Sequence, residues 1–109
     1  LPHAGGRWPE AIRLTGGAAR SPEWAQIFAD VCQHPVEVVA AEEVGALGAA
    51  ICAAVAGGIH ADLDRAIGAM CRIGRTYQPN RGHARFYDDR YRAFRRLDAG
   101  MMELLAAGG

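Results

Sequence analysis

The sequence predicts an α/β fold in the order β-α-β-α-α-α. Three observations carry that expectation. Ala11 to Thr15 alternates apolar Ile12 and Leu14 with Arg13 and Thr15, and Val36 to Val39 is a β-branched run, so both read as strands. Between them Trp24, Ile27, Phe28 and Val31 fall at i, i+3, i+4 and i+7, one face of a helix. Strand, helix and strand at this spacing suggest a parallel βαβ unit.

Each element has a local reason. Residues 1–10 hold two prolines and two glycines and read as a loose lead-in. Gly16-Gly17-Ala18-Ala19-Arg20 follows the first strand as a tight turn. Ser21 supplies an N-cap, and Pro22 suits the first helical position, where no amide hydrogen is needed. That helix, with Trp24 in the core, stops before His34-Pro35 because proline disfavours a helical residue ahead of it.

Glu42 and Glu43 open a second helix at the positive end of its dipole, an effect of roughly 0.3–1 kcal/mol. Its small residues, Gly45, Gly48, Ala49, Cys52 and Ala56, allow close approach to a neighbour, and Gly57-Gly58 ends it. Asp62 caps a third helix whose buried face is Leu63, Ala66, Ile67 and Met70. Residues 72–82, with Pro79, Asn80 and two glycines, read as irregular. A last helix near Arg85 to Ala106 sets Tyr87, Tyr91, Phe94, Leu97, Met101 and Leu105 on one side. Two strands do not make a stable sheet covered on both faces. The expectation is therefore strands from a partner, or a single partial domain over 1–109 that ends a larger α/β domain. The start at Leu1 without Met reads as a fragment or a processed product.

Composition narrows the classes. The chain has 109 residues, half of them hydrophobic, and zero formal net charge, which suits one globular domain of ordinary size. Cys32, Cys52 and Cys71 have no C-x-x-C spacing and read as small buried residues in a reducing compartment, hence a cytoplasmic setting. His3, His34, His60 and His83 are too scattered for a local metal site, so no metal ligands are assigned. The most apolar run, Val44 to Ile59, spans 16 residues, short of the roughly 20 that cross a bilayer, and no membrane partner is expected.

The glycine turn is the candidate site. A glycine pair between strand and helix lets a ligand approach the backbone with no Cβ in the way. The helix start beyond it favours an anionic or hydrogen-bond-accepting ligand, such as a nucleotide. The pattern is neither G-x-G-x-x-G nor G-x-x-x-x-G-K-[ST]. From the residues alone, a ligand loop and a plain tight turn both remain open.

Three stretches in order and at matching spacing resemble the C-terminal part of the FGGY family of carbohydrate kinases. They are "IRLTGGAARSPEWAQIFADV", "PVEVVAAEEVGALGAAICAAVAGG" and the closing "YDDRYRAFRRL". The resemblance implies the C-terminal portion of an actin-like, ribonuclease-H-like ATPase lobe, with ATP and sugar bound between two lobes. It implies that Gly16, Gly17 and Ala18 form the adenosine motif and that Ser21 reaches the nucleotide or only caps the helix. Many members read Gly-Gly-Gly-Ala here, so Ala18 departs from that pattern. Also implied are ATP as donor, Mg²⁺ held mainly outside this chain, and a sugar substrate bound through an upstream lobe. A ketopentose such as xylulose is favoured by "GRTYQPNRGHARFYD", with glycerol and other polyols open. Members are often dimeric, which adds a homodimer to the implied partners.

Phosphoryl transfer needs a base and phosphate-cradling loops. The family places both upstream, so no catalytic residue is assigned here and the segment alone is expected to be inactive. Asp30 reads as structural. A second class of function is an interaction module built on the amphipathic last helix. A third starts from nine arginines between Arg65 and Arg96 with Tyr77, Phe86, Tyr87 and Tyr91 interleaved. Their helical spacing assigns those aromatics to the core, and no nucleic-acid partner is expected.

Overall fold

The computed structural model describes residues 6–108. His3 and half of the expected lead-in lie outside the described residues. The elements are β1 (Ile12–Leu14), a 3-10 turn (Gly17–Arg20), α1 (Pro22–Cys32), β2 (Val36–Val39), α2 (Val44–Ala56), α3 (Leu63–Met70), β3 (Ile73–Tyr77), a second 3-10 turn (Arg81–His83) and α4 (Ala84–Gly108). The α/β class stands, with one strand more than expected.

β1 pairs parallel with β2, Ile12 opposite Val36 and Leu14 opposite Val38, so the βαβ unit forms as read. The correction is β3, which lies where residues 72–82 read as irregular. It runs antiparallel to β2 from Val36↔Tyr77 to Val39↔Ile73, with a register shift between Val38 and Val39. The sheet order is β1-β2-β3. Gly74 fits beside that irregularity because a Cβ there would stand 3.1 Å from the Ala40 Cβ. All of β3 before Tyr77 is exposed, so no alternating burial marks it in sequence.

α1 begins as expected: Ser21 is the N-cap, its Oγ accepting from the Trp24 amide at 3.3 Å, with Pro22 in the first turn. It ends through Gln33 in the left-handed conformation, φ 52°. Its packing face differs from the expectation. Ala25 and Ala29, both 0% exposed, join Val36 and Tyr77 in the core, with Ile12, Leu14 and Val38 against them. The bulky stripe faces elsewhere, Trp24 being 57% exposed. Alanine lets the helix lie close to the sheet, and tight packing leaves no room for an indole there.

α2 and α3 pack on each other, burying Ile51, Ala54 and Ala66. Asp62 caps α3, its Oδ1 accepting from the Arg65 amide at 2.8 Å. Leu63 and Ile67 are exposed against expectation, and so is Cys52, while Cys32 and Cys71 are half-buried free thiols. Burial pushes the Cys32 thiol up from its ordinary range. On α4 only Tyr87 and Tyr91 of the expected apolar side are half-buried; Phe94, Leu97, Met101 and Leu105 are exposed. Among the described residues no helix is long and apolar enough to cross a membrane.

One polar cluster ties the far end of α1 to the chain before α4. Asp30, 4% exposed, is the charged residue buried among the described ones. Its Oδ1 accepts from the Asn80 amide at 2.8 Å and from Gln26 Nε2 at 2.8 Å, and its Oδ2 pairs with His83 Nδ1 at 2.9 Å. Gln33 Nε2 adds bonds to the carbonyls of Asp30 and Asn80. Burial pushes the Asp30 carboxyl up, but the Asn80, His83 and Gln26 hydrogen bonds outweigh it and hold the group below its ordinary value.

Candidate functional site

Two loops meet at the carboxyl ends of the parallel pair. The first leaves β1 at Thr15 and turns through Arg20; the second leaves β2 at Ala40 and reaches Val44, the first residue of α2. With the strand ends Leu14, Val38 and Val39 they enclose an open cavity of about 1090 Å³. Open α/β sheets bind ligands at this end of their strands. The start of α2, Val44 and Gly45, also lines the cavity and directs the positive end of its dipole there.

The two glycines are small for different reasons. Gly16 has φ 85° and ψ −164°, a conformation open essentially to glycine alone. It also accepts, through its carbonyl, from the Ala19 amide at 3.1 Å, which closes the 3-10 turn. Gly17 has no positive φ, and a Cβ on it would meet nothing within 4 Å beyond its chain neighbours. Neither backbone conformation nor internal packing asks for glycine at 17. Its position on the cavity leaves room beside the backbone.

Gly16 and Gly17 line the cavity together with Ala19 and Arg20, whereas Ala18 and Ser21 are not among the lining residues. Ser21 Oγ is engaged in the α1 cap and also donates to Glu23 Oε2 at 3.1 Å. Sequence reasoning missed Arg20 and the whole second loop. Arg20 Nη2 donates to the Glu42 carbonyl at 3.1 Å and stands 3.8 Å from Glu43 Oε1. The signal available was the rule that loops after both parallel strands face one crevice. Glu43 occupies the N-cap position of α2 without a side-chain capping bond. Among the described residues no group of three or more His, Cys, Asp or Glu side chains is gathered to hold a metal ion.

Residues 3–57, which span both loops, match the sequence model of the FGGY family of carbohydrate kinases, C-terminal domain. The chain belongs to this family. It is 40% identical over 77 residues to an autoinducer-2 kinase of Yersinia enterocolitica, covering 71% of this chain and 15% of that protein. Its structure resembles the ligand-bound xylulose kinase of Lactobacillus acidophilus with TM-score 0.80 and 26% identity, over 88% of this chain and 19% of the other. It also resembles the gluconate kinase of Lactobacillus acidophilus, TM-score 0.78 and 26% identity, over 87% and 19%. These likenesses agree with the C-terminal portion of an actin-like ATPase lobe, as the resemblance implied. This FGGY chain spans about a fifth or less of the relatives it matches.

Proposed function

We propose that this chain is the nucleotide-binding C-terminal segment, a single partial domain over 1–109, of an ATP-dependent sugar kinase. The complete kinase transfers the γ-phosphate of ATP to a sugar hydroxyl. The observation that carries the reading is Gly17, a glycine that the chain's own packing does not require, on the wall of a cavity at the ends of two parallel strands. Adenosine lies against the backbone of Gly16 and Gly17, Ala18 shapes the turn, and Ser21 serves the pocket by fixing the start of α1. The α2 terminus favours hydrogen-bond acceptors at the opposite wall.

On this reading the segment positions the donor, and the base, the phosphate loops and the Mg²⁺ ligands lie outside it. A ketopentose such as xylulose is the favoured acceptor, supported by the "GRTYQPNRGHARFYD" tail and by the xylulose kinase among the structural relatives. ATP as donor favours the cytoplasm. A second reading, an interaction module or homodimer contact on α4, is supported by the exposed Phe94, Leu97 and Met101. Mass measured against concentration tests it, and a strict monomer at high concentration counts against it.

The test of the main reading is Gly17→Val in the complete kinase. The branched side chain enters adenosine space, so the KM for ATP should rise about tenfold or more, equivalent to about 1.4 kcal/mol, with little change in the sugar KM. Equal rises in both would mean that the turn is only structural.

A further inference from the structure

Arg20 stands out among the residues of the cavity wall because its side chain leaves its own loop and ends on the other. It closes the 3-10 turn after Gly17, and its guanidinium bonds the Glu42 carbonyl at 3.1 Å and faces the Glu43 carboxylate at 3.8 Å, across 22 residues of chain. Both ends of that connection line the same cavity. The donor is a charged planar fork and one acceptor is a backbone carbonyl, so the contact ties the Arg20 side chain to the main chain of the second loop. Exposure of both side chains keeps the ion pair weak, with little effect on folding. We infer that Arg20 is a positioning residue for the nucleotide: it sets the separation of the two loops before ligand arrives.

This rests on the nucleotide reading of the cavity. A pocket held near its bound spacing avoids the ordering cost that a loose one meets on binding. Without Arg20 the Ala41–Val44 loop keeps ties at its two ends: the Ala40 amide donates to the Arg72 carbonyl at 2.8 Å and the Ala41 amide to the Val39 carbonyl at 2.9 Å, and the Glu43 carbonyl accepts from the Leu47 amide at 3.0 Å as α2 begins. Loop mobility and nucleotide affinity should therefore change together.

The experiment uses the complete kinase as wild type, Arg20→Met, Arg20→Lys and Glu43→Gln. Hydrogen exchange of the 42–45 peptide is measured without ligand, and binding of ADP is measured by calorimetry. The expected result for Arg20→Met is faster exchange confined to that loop and a Kd for ADP raised about fivefold. Arg20→Lys, which retains one donor, should recover part of both, and Glu43→Gln should change both less than Arg20→Met because the carbonyl contact persists. Faster exchange with an unchanged Kd would overturn the inference and leave Arg20 a structural tie. Wild-type binding with no change in either quantity in Arg20→Met would overturn it and leave the pocket intact. Absence of ADP binding to the wild type would instead remove the nucleotide reading, and the role of Arg20 with it.

Discussion

Of the side-chain ties between distant parts of this chain, the one at Arg20 and the one at Asp30 are built in opposite ways. At the sheet's carboxyl end Arg20 meets Glu42 and Glu43 with 68% and 81% of the Arg20 and Glu43 side chains exposed. At the far end of α1, Asp30 meets Gln26, Asn80 and His83 with 5% of its side chain exposed. Water competes with the first tie and is largely excluded from the second. The buried tie therefore carries more of the folding stability, and the exposed one adds little to folding while it spans the two cavity loops.

Removing the buried acceptor should have the largest effect. Asp30→Ala leaves the Asn80 amide and the Gln26 and His83 donors without their shared partner and should cost about 3 kcal/mol in urea unfolding of the chain. If that variant fails to fold, Asp30→Asn supplies the same comparison at smaller cost. The pH dependence has a definite sign. The folded carboxyl titrates below its ordinary value of 3.8, so the ionised form is the one the fold prefers. Its contribution is present above the ordinary value and is lost as pH falls through the lowered one. The stability gap between wild type and Asp30→Asn should narrow over that acid range; a gap unchanged by pH would mean that the charge plays no part.

The next effect separates two adjacent glycines. Gly16→Ala forces a Cβ into a conformation near φ 85° and should cost about 1–3 kcal/mol of stability. Gly17→Ala meets open space and should unfold like wild type while weakening ADP binding. Thermal melts with and without ADP distinguish them. Matching losses of stability would show that residue 17 is constrained by the fold as well.

The ease of reading each element follows from where its determinants lie. β1, the start and end of α1, β2 and the glycine turn have signals inside a few residues: alternation, Ser21-Pro22, His34-Pro35 and the glycine pair. β3 is different. Ile73, Gly74, Arg75 and Thr76 are exposed, and the strand is set by pairing with β2 and by the approach of Ala40 at Gly74. Those contacts are 30 or more residues away, and local periodicity carries none of them. The pocket divides in the same way. Gly16 and Gly17 were legible, while the reach of Arg20 to the second loop depends on the parallel register that brings β1 beside β2.

The smallest effect concerns α1, whose apolar residues satisfy helical periodicity on two faces. Ala25 and Ala29 form one and Trp24, Ile27 and Phe28 the other, and spacing alone favours the bulkier set. Side-chain volume reverses the choice, because the helix lies close over Val36 and Tyr77. Ala29→Leu should therefore cost about 1–3 kcal/mol by overpacking a fully buried site. Trp24→Ala removes a ring that is 57% exposed and lies beside the Phe28 ring, at 6.0 Å between centroids. Its cost in this chain should stay below about 1 kcal/mol, well short of the roughly 3–5 kcal/mol of a buried tryptophan. Urea unfolding of the two variants side by side orders the faces. A larger loss from Trp24→Ala than from Ala29→Leu would mean that α1 is rotated, with its bulky stripe on the sheet and its alanines in water.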